Sequence, residues 1–146
     1  QTGQVDFHET CSAYSRAGVD LGDGSVSCTP FIEDIAAAYA WADLVLCRSG
    51  ASTCSEIAAL GLPAIFVPYP FHADKQQFHN AKLLVEKGAA ILVPQHELTV
   101  NKIEKLLRSF VADHNKLSKM HAQKVKCEIL NADQLIAEYC LEIANA

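Results

Sequence analysis

Three short apolar runs constrain this chain most: DLVLC (43–47), AIFVP (64–68) and AAILVP (89–94). Each is unbroken rather than alternating. A short, continuous run of Leu, Ile, Val and Phe between turn signals reads as a strand buried on both faces. Between the runs lie STCSEIAAL (52–60), closed by Gly61 and followed by Pro63, and QFHNAKLLVEK (77–87), closed by Gly88. Both have helical spacing and a glycine suited to a left-handed cap. Parallel strands need crossovers of this length, so the pattern predicts a parallel sheet covered by helices with right-handed connections.

The flanks extend the alternation. QTGQVDFHET reads as the end of a strand and its loop, passing into a helix over DFHETCSAYSRAG (6–18). VSCTPF (26–31) reads as extended, with Pro30 holding Thr29 away from helical angles. IEDIAAAYAWA (32–42) is alanine-rich, with Ile32, Ile35 and Tyr39 at helical spacing. TVNKIEKLLRSFVAD (99–113) predicts a helix capped by Thr99, with a stripe of Ile103, Leu106, Leu107 and Phe110. KLSKMHAQKVKCEI (116–129) and ADQLIAEYCLEIANA (132–146) predict two more amphipathic helices on one flank. The fold class is α/β, a Rossmann-like domain over 1–146. The chain opens on Gln1 rather than Met, so a piece of a longer protein is expected, lacking its first strand and helix.

Half of the residues are hydrophobic, which suits a packed core and argues against disorder. The formal net charge of −5 leaves no basic surplus for phosphate neutralisation, so no nucleic-acid partner is expected. The lysines between Lys102 and Lys126 are interleaved with acids and read as solvated helix faces. The six cysteines, Cys11, Cys28, Cys47, Cys54, Cys127 and Cys140, form no CxxC pair and no zinc-like grouping with histidine. They read as reduced thiols serving as small apolar residues.

In a parallel sheet, ligands gather at the carboxyl ends of the strands. The loops there are TPFIED, CRSGASTCSE and PYPFHADKQQ. In the second, Gly50 permits close backbone approach or a positive φ. Ser49, Ser52, Thr53 and Ser55 follow the strand with small hydroxyls. The helix start then offers unpaired N–H groups to a phosphate or diphosphate. Glu56 has two readings. In one, Thr53-Cys54-Ser55-Glu56 is a capping box, with the carboxylate folded back on the Thr53 N–H. In the other, Glu56 accepts two hydrogen bonds from a ribose diol. In the third loop, Gln76, Gln77 and Asn80 can donate and accept toward sugar hydroxyls, while Asp74 caps the helix or joins them. His72 and His79 have no visible nucleophile or acidic partner and read as structural or solvent-facing. Tyr69 and Phe71 either wall a pocket or pack in the core. The nucleotide motifs GxxxxGK[ST] and GxGxxG, the elbow GxSxG and the metal-bridging DxD are all missing from these 146 residues.

Together, AAAYAWAD, CRSGASTCSE, GLPAIFVPYP and DKQQFHNA closely resemble the carboxy-terminal domain of the MurG family. These are the bacterial N-acetylglucosaminyltransferases of peptidoglycan synthesis. The resemblance spans roughly residues 1–98, and the later helices are compatible with it. It implies the carboxy-terminal half of a GT-B glycosyltransferase, with a cleft between two Rossmann-like domains. It implies transfer of N-acetylglucosamine from UDP-N-acetylglucosamine to lipid I, with inversion, without a cofactor or required metal, at the cytoplasmic face of the inner membrane as a peripheral protein.

By that match, Ile32 would meet uracil through its backbone. Ala51, Ser52, Thr53, Cys54 and Ser55 would line the diphosphate, and Glu56 would hold the ribose diol. Gln76 and Gln77 would contact the sugar, with Asn80 assisting. Cys54 departs from the aliphatic residue usual there, a mild apolar exchange. The family's glycine-rich opening loop would lie upstream of Gln1. The lipid I site and the catalytic base would belong to the amino-terminal domain, so no catalytic base is assigned here.

Overall fold

The computed structural model describes residues 1–71, 73–123 and 132–145. His72, Cys127 and the lysines at 124 and 126 lie outside the described residues, as does the end of the helix expected over 116–129. The chain divides into two compact units, Gln1–Trp41 and Ala42–Ala146.

The first unit holds α1 (Gly3–Arg16) and α2 (Ile35–Trp41). The helix begins at Gly3, where the sequence suggested a strand end and loop. The N–H groups of Thr2 and Gly3 donate to the carbonyls of Thr29 and Pro30, both at 3.0 Å. These two bonds satisfy donors that a helix start leaves unpaired. They also occupy the extended stretch expected over 26–31, which joins no sheet. Asp34 caps α2, its Oδ1 accepting from the Ala37 N–H at 2.9 Å.

The second unit is the predicted parallel sheet, with β1 (Val45–Cys47), β2 (Ala64–Phe66) and β3 (Ala90–Leu92) in the order β1-β2-β3. The register pairs Leu46 with Ile65 and Ile65 with Ile91. The crossovers are α3 (Ala51–Leu60) and α4 (Gln76–Glu86), which pack on each other. After β3 come a short 3-10 turn (Gln95–Glu97), α5 (Val100–Ala112), α6 (Asn115–Ala122) and α7 (Ala132–Ala144). No helix among the described residues is long and apolar enough to cross a membrane.

Strand alternation divides the core. Ile65 turns toward Val93, Phe110 and Met120, with Ile91, Ile103, Leu106 and Leu117 packed around them. This is the face covered by α5 and α6. Ala64 and Phe66 turn the other way and are fully buried, as are Ile57 of α3 and Ala81 of α4. Two expectations fail at the margins. Leu46 shares the face of Ile65 but stays 51% exposed, although Leu44, two residues earlier, packs against the Ile65 cluster. Leu107 of the expected α5 stripe is also exposed; the core takes Ile103, Leu106 and Phe110 and leaves the next position outward.

The caps follow the sequence closely elsewhere. Thr99 Oγ1 accepts from the Lys102 N–H at 3.2 Å. Gly61 ends α3 at φ 70°, with its N–H donating to the Ile57 carbonyl at 2.9 Å. A side chain at that φ would be strained, so glycine is favoured there.

Candidate nucleotide-sugar site

The site is built at the carboxyl ends of β1 and β2. β1 runs into Arg48, Ser49 and Gly50, and α3 begins at Ala51. Gly50 is the N-cap, at φ −63° and ψ 154°, and no side chain caps the helix. The first helical bond closes from the Cys54 N–H to the Gly50 carbonyl at 2.9 Å. The N–H groups of Ala51, Ser52 and Thr53 therefore precede the helical ladder and have no intrahelical acceptor. With the helix dipole behind them, they form an anion-receptive end.

This placement corrects the capping-box reading. Thr53 is the third residue of the helix and not its cap, and Glu56 stands in the second turn. A capping box needs a hydroxyl at the cap and the acid three residues on; here those positions hold Gly50 and Thr53. It also removes the positive-φ argument for Gly50, whose backbone any residue could adopt. Ser52, Ser55 and Glu56 are exposed and share one helix face by their spacing. Ala51 is exposed, Thr53 half-buried and Cys54 buried.

Ser49 is fully buried, and its Oγ has no hydrogen-bond partner among the described residues. The Cys47 thiol is pushed up to about 12 by burial and by the neighbouring Cys54. Burial pushes Cys54 up to about 11. Both are neutral thiols at physiological pH and serve as apolar packing between β1 and α3, as their sequence pattern suggested.

The second loop leaves β2 at Val67 and reaches α4 through a left-handed residue, Lys75, at φ 50°. Asp74 Oδ1 accepts from the Gln76 N–H at 3.2 Å, so the acid does support the helix start. Gln76 is exposed. Gln77 is half-buried, and its Oε1 accepts from the Tyr69 N–H at 2.9 Å, so its Nε2 group is the part of the amide left as a donor. Asn80 Nδ2 donates to the Ser49 carbonyl at 3.1 Å, so Asn80 braces the first loop from the second. Tyr69 and Phe71 meet edge to face, with ring centroids 5.4 Å apart, and are 40% and 78% exposed. They wall the surface and do not pack in the core. His79 is exposed.

Sequence reasoning passed over Arg48. Its Nη1 donates to the carbonyls of Val67 at 3.1 Å and Pro68 at 3.2 Å, and its guanidinium carbon lies 5.7 Å from the Tyr69 ring centroid. The only available signal was an arginine directly after a buried strand.

Between α3 and α4, Ala51, Cys54, Ser55, Asn80 and Leu83 help line a hollow of about 160 Å³. A ligand cleft usually measures roughly 300–1,000 Å³, so this hollow alone is too small to enclose a nucleotide sugar. Ile32 belongs to the other unit, where it is half-buried in the bend before α2.

The profile of the glycosyltransferase family 28 C-terminal domain matches residues 1–138. The chain belongs to glycosyltransferase family 28. A UDP-N-acetylglucosamine--N-acetylmuramyl-(pentapeptide) pyrophosphoryl-undecaprenol N-acetylglucosamine transferase of Shewanella sp. (strain MR-4) is 44% identical over 145 residues. That alignment covers 99% of this chain and 39% of the relative. The transferase of the same name from Shewanella sediminis (strain HAW-EB3) is 42% identical over the same lengths. The crystal structure of Acinetobacter baumannii MurG matches with a TM-score of 0.85 at 34% identity, covering 97% of this chain and 42% of that one. The chain thus has the fold of the carboxy-terminal part of a GT-B enzyme and spans about 39% of the curated family 28 relatives it matches.

Proposed function

We propose that this chain is the donor-binding domain of an inverting N-acetylglucosaminyltransferase. The enzyme moves N-acetylglucosamine from UDP-N-acetylglucosamine to lipid I, making lipid II for peptidoglycan. The observation that carries this reading is the start of α3: a glycine-capped helix end with no side-chain cap, ringed by small hydroxyls and followed by Glu56 on the same exposed surface. A diphosphate supplies the acceptors that this helix end lacks. Glu56 then takes the ribose diol, and the Nε2 group of Gln77 with Gln76 takes sugar hydroxyls. Ile32 takes uracil through its backbone; this last role rests on the resemblance alone.

The chemistry follows from that arrangement. The acceptor hydroxyl attacks the anomeric carbon of N-acetylglucosamine from the face opposite UDP. The bond from that carbon to the diphosphate oxygen breaks, and its electron pair leaves with UDP. Negative charge grows on the departing diphosphate, where the N–H groups of residues 51–53 and the α3 dipole stabilise it. The proton lost by the acceptor goes to a base outside this chain. The amino-terminal domain would supply that base and the lipid I site, and the lipid-linked acceptor would bring the enzyme to the cytoplasmic face of the inner membrane.

The test is calorimetric titration of the full-length enzyme with UDP-N-acetylglucosamine and with UDP. Saturable binding of both is expected. Failure to bind either nucleotide would overturn the donor-site assignment.

A further inference from the structure

Two loops that are far apart in sequence are tied by side-chain bonds. From the first loop, Arg48 reaches across to the Val67 and Pro68 carbonyls of the second, at 3.1 and 3.2 Å. Its guanidinium also lies near the Tyr69 ring. The Tyr69 N–H in turn donates to Gln77 Oε1 at 2.9 Å. From the second loop's helix, Asn80 returns to the Ser49 carbonyl at 3.1 Å. The bonds close a circuit: Arg48, Val67 and Pro68, Tyr69, Gln77, α4, Asn80, and Ser49 beside Arg48.

We infer that Arg48 is a positioning residue that sets the aim of Gln77 and so the sugar selectivity of the donor site. This rests on the proposed donor reading. The chemistry of the guanidinium suits the task. It is planar, always charged and rich in donors, so one side chain can hold two successive carbonyls while lying near an aromatic ring. Those carbonyls follow the last ladder bond of β2, in which the Val67 N–H donates to the Cys47 carbonyl at 2.8 Å, so the guanidinium carries the hold on into the loop. Held there, Tyr69 presents its N–H to Gln77, and the accepting Oε1 fixes which way the Gln77 amide faces. A glutamine locked in one orientation shows a donor to the sugar. A glutamine free to rotate can follow the hydroxyl to either position, so it distinguishes axial from equatorial less sharply.

Binding of UDP, UDP-N-acetylglucosamine and its C4 epimer UDP-N-acetylgalactosamine to the full-length enzyme tests this. Arg48→Met should narrow the affinity ratio between the two sugars about fivefold, the worth of one neutral hydrogen bond from the Gln77 amide. UDP affinity should stay within about threefold. Arg48→Lys, a point charge without the fork, should fall between. In a Gln77→Ala background, Arg48→Met should change the ratio no further. A ratio unchanged by Arg48→Met, an equal loss for all three nucleotides, or independent multiplying effects of the two substitutions would overturn the inference. If the wild-type enzyme binds neither sugar nucleotide, the donor reading falls, and amide exchange judges the latch alone. Exchange at Tyr69 should then quicken about tenfold in Arg48→Met, and an unchanged rate would refute it.

Discussion

Gly50→Ala separates a helix end shaped for folding from one shaped for an anion. Gly50 sits at φ −63° and ψ 154°, angles open to alanine. A methyl added there meets only Thr53 Oγ1, at an unstrained 3.8 Å. Two stability effects oppose each other. Alanine is the poorer N-cap; since glycine is itself a few tenths below the best caps, the cost is about 0.3–1.5 kcal/mol. Alanine also restricts the unfolded chain, a gain of about 0.4–1 kcal/mol. The balance is within about 1 kcal/mol, or a melting shift of no more than about 4 °C. Binding has no such offset. The methyl stands over the first turn, where a phosphate oxygen must approach the backbone N–H groups. Losing one charge-assisted bond costs about 1.5–3 kcal/mol, a weakening of roughly 10- to 100-fold for UDP and UDP-N-acetylglucosamine alike. Calorimetry and thermal melting on the same protein read both quantities. Wild-type affinity in Gly50→Ala would refute a diphosphate at this helix start. A large fall in melting temperature with little loss of binding would mean that the glycine serves the fold.

Glu56→Ala should weaken UDP and UDP-N-acetylglucosamine equally, by about 1–3 kcal/mol; unchanged affinity would remove the ribose role. Cys140, which is exposed, should react quickly with a disulfide reagent at pH 8, while Cys47 and Cys54 should resist until the protein unfolds. Because the folded-state values of Cys47 and Cys54 are raised, the stability they contribute is complete below about pH 9 and falls as pH rises toward 11–12. Denaturant midpoints across that window should drop, and a flat profile would contradict the burial. Thr99→Ala should cost about 1 kcal/mol by removing the cap on the Lys102 N–H, measured by chemical unfolding; a neutral result would mean that solvent replaces the cap.

What could be read from sequence was what local pattern determines. The three apolar runs became the three strands, and Gly61, Gly88 and Thr99 ended or began helices where expected. Pattern misled where hydroxyls were dense: Thr53 looked like a cap, yet the helix had already begun behind Gly50. It also did not show that Leu46 is exposed, although its composition suggested burial. The site residues were visible as types, but their constraints were not. Arg48 and Asn80 act across 19 to 31 residues of chain, and no spacing rule reaches that far. Only the register of β1 against β2 brings those loops together.

Lys75 carries a consequence for how this site can change over generations. A non-glycine residue at φ 50° holds its backbone about 1–2 kcal/mol above the ordinary helical basin. Glycine, asparagine or aspartate would ease that conformation, so the loop can drift toward them without moving α4. A valine or isoleucine would force the backbone back across φ zero and turn the first residues of α4 away from their neighbours. Variation at position 75 is therefore channelled: a lineage can relax this turn freely, but it can stiffen it only by giving up the register of Gln76 and Gln77.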